Sequence, residues 1–238
     1  MQDLFQSLIR RLKPKRYRGY TYPQMAKALY YSKKVKSRLP LEEIDRLKAE
    51  FTDDEFIYTK YLDYEEWIAV TMLRAIRLDL DSSKALSVLD IGTGAGYFPW
   101  ICQYFGHQAV SIDIDNHPVF NSLVRVLGVE RLNFRVEKNL PVMDFGRRFD
   151  LITAFMANFN RGIRDVPPWD GAAWRFFLKH LATDQMNETG RIVMTLNRHY
   201  DGEYFSSEVK SCFKELGATI DRRWVTFPDM AVLRSQEV

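Results

Sequence analysis

The sequence predicts an α/β protein: a mostly parallel sheet closing on an antiparallel C-terminal hairpin, preceded by a helical N-terminal extension. Three observations carry this. Short β-branched or apolar runs alternate with amphipathic helical stretches from Leu86 onward, the order that builds a parallel sheet covered on both faces. The rhythm breaks only at the end, where Ala218–Phe227 and Met230–Arg234 are separated by Pro228-Asp229, a link too short for a crossover helix and therefore antiparallel. After the first 40 residues and before Leu86, the apolar spacing is that of helices.

The first element is a basic arm. From Met1 to Pro40 there are eleven Lys/Arg against one acid, Asp3, a net of +10 in a chain whose formal charge is +3, so the remainder carries −7. An apolar stripe of Leu4, Phe5, Leu8, Ile9 and Leu12 leads into the basic cluster Arg10–Arg18, and eight of the twelve tyrosines fall within the first 64 residues. Such a surface suits an anionic partner: a membrane face, a nucleic acid, or a phosphorylated acceptor held beneath a lid. The alternative is a helix packed on its own domain with a solvated basic face.

Two helices follow the arm. Pro40 stands at a helix start, with Glu42 and Glu43 in the first turn and Ile44, Leu47 and Phe51 at helical spacing. A longer helix begins near Asp63, which with Glu66 resembles a capping box, and Trp67, Ile68, Met72, Ala75 and Ile76 mark its packed face. Residues 1–80 thus form the extension and 81–238 the main domain. Strands are expected at Leu86–Asp90, Ala109–Asp113, Asn133–Val136, Asp150–Phe155 and Arg191–Leu196. The intervening helices follow Gly96 or carry Val119–Leu127, Trp174–Leu181 and Phe205–Leu216, the last closing at Gly217.

Composition excludes several classes. At 46% hydrophobic and 27% charged residues over 238 positions, the chain suits one large globular domain or a domain with an appendage. The longest uncharged stretch, Ile91–Ile112, has the length of a membrane span but contains four glycines and Pro99, which argues against one. Two cysteines, Cys102 and Cys212, are too few for a disulfide framework and fall within expected helices as core residues. The start lacks the pattern of a secretory signal. A reducing cytoplasmic home is expected, with the arm able to hold the protein at the inner face of a membrane.

The chemistry concentrates in Val88-Leu89-Asp90-Ile91-Gly92-Thr93-Gly94-Ala95-Gly96, a strand running through glycines into a helix. Glycines let the backbone approach a ligand closely, and a helix N-terminus offers unpaired amides. The dinucleotide-binding fingerprint would place its third glycine at position 97, where Tyr97 stands; here the glycines fall at 92, 94 and 96 behind an acid at 90.

On these residues the sequence resembles the class I S-adenosylmethionine-dependent methyltransferases, whose first motif, acid-x-Gly-x-Gly-x-Gly, is matched by Asp90, Gly92, Gly94 and Gly96. The resemblance runs from about Leu86 to the C-terminus. It implies a Rossmann-like sheet of seven strands with a reversed last strand, and S-adenosyl-L-methionine as cofactor, its methionine end wrapped by the glycine loop. It also implies that Asp113, at the end of the second strand, binds the ribose hydroxyls and that Ile114 packs on adenine. A carboxylate held at a strand end can accept from two neighbouring hydroxyls. Asp113 and Asp115 also read as strand-end and helix-capping acids, since Asn116-His117-Pro118 opens the next helix. Glu137 and Asn139 lie where the family meets the adenine amino group, without its usual Gly-Asp pattern.

Acceptor residues should follow the fourth and fifth strands. After the fourth, Asn158 and then Arg161, Arg164 and Trp169 occupy a long loop whose guanidinium groups suit a carboxylate or phosphate. Phe155–Asn160 contains neither the Pro-Pro-aromatic tetrad of amino-directed adenine methylation nor the Pro-Cys nucleophile of cytosine-C5 methylation, so both are disfavoured. After the fifth strand, His199 is the best-placed general base for deprotonating a hydroxyl acceptor, a strand-end hydrogen-bonding role being the alternative. No His/Cys/Asp cluster has metal-ligand spacing. The expected activity is methyl transfer to a small or carbohydrate-like acceptor at oxygen. The alternative is a nucleic-acid (RNA) methyltransferase or a catalytically silent cofactor-binding partner subunit that docks through the arm.

Overall fold

The computed structural model describes residues 19–52, 56–114, 117–157, 159, 168–198 and 202–236. They gather into two compact units. One comprises the described residues of Met1–Ala85, Gly94–His107 and Asn116–Glu130; the other comprises those of Leu86–Thr93, Gln108–Asp115 and Arg131–Val238.

The second unit contains the sheet. Seven strands, β1 (Ser87–Ile91), β2 (Gln108–Asp113), β3 (Arg131–Asn133), β4 (Phe149–Phe155), β5 (Met186–Thr195), β6 (Thr219–Asp221) and β7 (Trp224–Phe227), lie in the order β3-β2-β1-β4-β5-β7-β6. β1 to β5 are parallel, with Asp90 opposite both Ser111 and Thr153; β7 enters antiparallel to β5 and β6. The seven-stranded, mostly parallel sheet with a reversed strand near its end is thus as expected. One face of it is buried in an apolar cluster in which Leu89, Ile112, Ile152 and Met194 meet Trp174, Phe177 and Phe213. Those rings come from α7 (Gly171–His180) and α8 (Ser207–Glu215), and α9 (Met230–Arg234) closes the cluster with Met230 and Leu233.

The first unit is helical: α1 (Tyr22–Lys36), α2 (Leu41–Glu50), α3 (Phe56–Thr59) followed by a tight turn at Lys60–Leu62, α4 (Tyr64–Arg77), α5 (Tyr97–Tyr104) and α6 (Pro118–Val126). Thr21 and Gln24 close a capping box at the start of α1. Asp63 caps α4, as expected, by accepting from the Glu66 amide. The expected apolar face of α4 is buried at Ile68, Met72, Ala75 and Ile76 and packs on α1 and α5. Cys102 and Cys212 are buried on α5 and α8 and are not joined in a disulfide.

Three local expectations are corrected. The hairpin turns at Arg222-Arg223, with Arg222 at φ +57, and not at Pro228-Asp229. Met230–Arg234 is helical, capped by the Asp229 carboxylate accepting from the Ala231 amide; a five-residue apolar run carries no period that separates strand from helix. The third strand is Arg131–Asn133, not Asn133–Val136. The fifth begins five residues earlier than Arg191, at Met186. Among the described residues, no helix is long and apolar enough to cross a membrane.

Candidate functional site

In the sheet unit the strand order reverses between β2 and β4 on either side of β1, and the carboxyl ends of β1 and β4 form the switch point where open α/β sheets bind ligands. β1 ends in Asp90 and Ile91 and leads into Gly92. Asp90 is 2% exposed, and its Oδ1 accepts from Thr153 Oγ1 on β4 at 2.7 Å. The Gly92 N–H donates to the Ile112 carbonyl at 2.8 Å, extending the β1–β2 ladder one step past the strand. Gly92 has φ +74, and a Cβ there would stand 3.2 Å from that of Ala157. Only glycine suits this turn.

The β4 end is held from β5. The Asn197 side-chain amide donates to the carbonyls of Met156 at 2.8 Å and Ala157 at 3.3 Å, and the Met156 N–H donates to the Thr195 carbonyl at 2.8 Å. Met156 itself is left-handed, φ +63, in a region a non-glycine residue occupies at a cost of order 1–3 kcal/mol. Two hydroxyls at these strand ends, Thr93 Oγ1 and Thr195 Oγ1, are buried with no hydrogen-bond partner among the described residues. Such groups call for a ligand or water.

At the end of β2, Asp113 is half-buried and its Oδ1 accepts from the Ile114 amide at 2.7 Å; Ile114 is half-buried beside it. Both stand one strand away from Gly92 at the same edge of the sheet, Ile91 being paired with Ile112.

In the helical unit the same loop continues as Gly94, φ +55, and Gly96, φ +79, the residue before α5. A Cβ at Gly96 would lie 3.1 Å from Val124 Cγ2, and one at Gly94 3.8 Å from the Phe120 ring. Around Phe120 stands an aromatic group from residues 58–67: Tyr58 stacks on His117 at 3.7 Å and meets Phe120 edge-on at 5.3 Å, while Tyr61 meets Phe120 at 4.9 Å and stacks on Trp67 at 4.3 Å. Tyr97, first residue of α5, donates its hydroxyl to the Tyr61 carbonyl at 2.8 Å. Burial, with the Asp63 charge adding to it, pushes that phenol well above its ordinary pKa. The segment around Tyr61 is therefore tied to the helix that the glycine loop opens, a connection the spacing of the sequence does not announce.

Of the other expected site residues, Asn158, Arg161, Arg164 and His199 lie outside the described residues, as does Asp115. The α6 cap is His117, whose Nδ1 accepts from the Val119 amide at 3.3 Å. Trp169 is 8% exposed and sits in the core cluster, stacked on Phe159 at 4.7 Å. Glu137 and Asn139 are exposed. Lys138 between them pairs with Asp170 at 2.6 Å, and Asp170 caps α7 by accepting from Ala173. No group of three His, Cys, Asp or Glu among the described residues could hold a metal ion. Asn197, Thr153 and Ala157 are the site residues that sequence reading passed over: a threonine or alanine in or beside a strand carries no local signal.

The sheet order 3-2-1-4-5-7-6, with its reversed seventh strand and a glycine turn after the first, defines the class I S-adenosylmethionine-dependent methyltransferase fold. Several solved structures are similar to this chain. A ribosomal protein L11 methylase from Lactobacillus delbrueckii subsp. bulgaricus is 18% identical, with 66% of this chain and 75% of that one covered and a TM-score of 0.42. A TehB-like S-adenosylmethionine-dependent methyltransferase from Corynebacterium glutamicum is 14% identical over 65% and 86%, TM-score 0.46. A glycopeptide N-methyltransferase solved with S-adenosylmethionine is 12% identical over 52% and 54%, TM-score 0.38. No protein-family model and no curated protein matches the chain.

Proposed function

We propose that the protein transfers a methyl group from S-adenosylmethionine. The observation that carries this is the pairing, at one edge of the sheet, of the Asp90–Gly92 turn with the half-buried Asp113 carboxylate on the adjacent strand. The residues fit the cofactor. Thr93 Oγ1 is a buried hydroxyl with no partner among the described residues, and Gly92 leaves a space that a Cβ would fill. Asp90, Gly92, Gly94 and Gly96 would hold the methionine end, Asp113 the ribose and Ile114 the adenine. When bound, the sulfonium supplies an already activated methyl carbon. What remains for the chain is to align the acceptor, exclude water and, for a hydroxyl acceptor, take its proton.

In this reading the acceptor is a small or carbohydrate-like molecule methylated at oxygen, with His199 as general base and Asn158, Arg161 and Arg164 toward the acceptor. The protein works in the cytoplasm. A second reading, a nucleic-acid acceptor, is favoured by the outer face of α1. Tyr22 and Tyr30 are 61% and 53% exposed there. The Lys34 ammonium lies 4.5 Å over the Tyr30 ring and the Arg38 guanidinium 5.2 Å over Tyr104. Lys27 and Lys36 on the same helix are paired with Asp81 and Glu65. Exposed rings among cations suit stacked bases and phosphates.

Calorimetry with S-adenosylmethionine tests the reading. Wild type binds and Asp113→Ala binds at least about tenfold more weakly, as loss of hydrogen bonds to a charged group predicts; absence of binding by wild type, or equal binding by Asp113→Ala, overturns it. Pull-down on RNA, DNA and anionic liposomes over a salt series separates the two acceptors. Nucleic-acid binding that falls steeply with salt selects the second.

A further inference from the structure

Three polar side chains lie abreast across the middle of the sheet. Ser111, Asp90 and Thr153 are cross-strand neighbours on β2, β1 and β4, so all three project to one face, and they are 0, 2 and 0% exposed. Leu89, Ile91, Ile152 and Ala154, alternating with them along the strands, point the other way into the apolar cluster. A buried carboxylate is expensive unless it is hydrogen-bonded. Here Thr153 Oγ1 donates to Asp90 Oδ1 at 2.7 Å, with the Leu89 carbonyl a second, longer contact at 3.5 Å. Valine has the shape of threonine and suits a buried strand as well, so the hydroxyl is the feature that distinguishes the residue at 153. Polar residues that break the apolar rule of a central strand concentrate at functional sites. Asp90 stands two residues before Gly92, the point at which the chain leaves the β1–β2 ladder.

From this geometry we infer that Thr153 is a positioning residue of the cofactor site: its hydroxyl fixes the Asp90 carboxylate and, through it, the path of β1 into Gly92 and Thr93. Thr153 acts through Asp90. The inference rests on the methyltransferase reading above and adds a residue on another strand that no motif contains.

The test measures S-adenosylmethionine and S-adenosylhomocysteine affinity by calorimetry on the full chain, alongside thermal melting. Thr153→Val, which keeps shape and removes the donor, binds about tenfold more weakly, whereas Thr153→Ser, which keeps the donor and loses a methyl, stays within about threefold. Combined with Asp90→Asn, the valine substitution has less than about a twofold further effect, because paired residues are not additive. Val225→Ala, in the apolar cluster on β7, lowers the melting temperature without changing affinity. Should Thr153→Val fail to fold, Thr153→Ala reports the same loss. Wild-type affinity in Thr153→Val, or equal losses in the valine and serine variants, overturns the inference while leaving the methyltransferase reading standing. Failure of the wild type to bind either ligand overturns that reading and this inference with it.

Discussion

The Cβ that Gly92 lacks would stand 3.2 Å from the Cβ of Ala157, so the turn after β1 and the segment after β4 approach closely enough that a side chain at position 92 would force Ala157 to give by a few tenths of an ångström. Gly92→Ala must both relieve this contact and hold φ +74 with a side chain. We expect a loss of about 1–3 kcal/mol in stability and loss of S-adenosylmethionine binding. Denaturant melts and calorimetry on the same preparation check it, and unchanged affinity would show that the close approach has no part in the site.

Asn197 holds the other side of that contact. Asn197→Ala leaves the Met156 and Ala157 carbonyls without their side-chain donor and should lower stability by about 1–3 kcal/mol if water does not replace it. Cofactor affinity should fall as well, because the strained Met156 backbone keeps its bond to Thr195 but loses the one from Asn197. A stability loss with wild-type affinity would confine Asn197 to a structural role.

Tyr97 gives a pH dependence with a definite sign. Its phenol is held above its ordinary pKa by burial, so the folded chain keeps a proton that the unfolded chain releases above about pH 10. Stability on this account is full below that pH and declines as pH rises beyond it. Tyr97→Phe removes this part of the alkaline slope. It also leaves the Tyr61 carbonyl without its donor, at about 1 kcal/mol. Thermal melts between neutral pH and pH about 11 compare the two slopes, and identical slopes would refute the assignment.

Asp170 joins a helix cap to an ion pair. Its hydrogen bond to Lys138, followed by that from the Ala173 amide, holds the carboxyl below the usual range. Its stabilising contribution is therefore present above the ordinary carboxylate pKa and is lost as pH falls through the lowered one. Asp170→Ala should cost about 1 kcal/mol through the lost cap. Asp170→Asn, which keeps a capping oxygen, should cost less, since an exposed ion pair contributes little. Urea melts of the two variants distinguish cap from charge.

The sequence by itself determined the succession of strands and helices from Leu86 to Gly217, the acid-and-glycine turn at 90–96 and the strand-end position of Asp113. Each is local: a run of β-branched residues or three glycines at fixed spacing carries its own signal, whereas the link at Pro228-Asp229 precedes a helix and the hairpin turns at Arg222-Arg223. The tertiary structure decided what local patterns leave open. Met230–Arg234, whose five residues carry no period that separates strand from helix, is a helix that buries Met230 and Leu233, and β5 gained Met186–Gly190. Thr153 met Asp90 across 63 positions, Asn197 met Met156 across 41 and Tyr97 met Tyr61 across 36. Those partners are chosen by strand order and register, which arise only when the sheet and the helices pack, and no window of sequence contains both members of any pair.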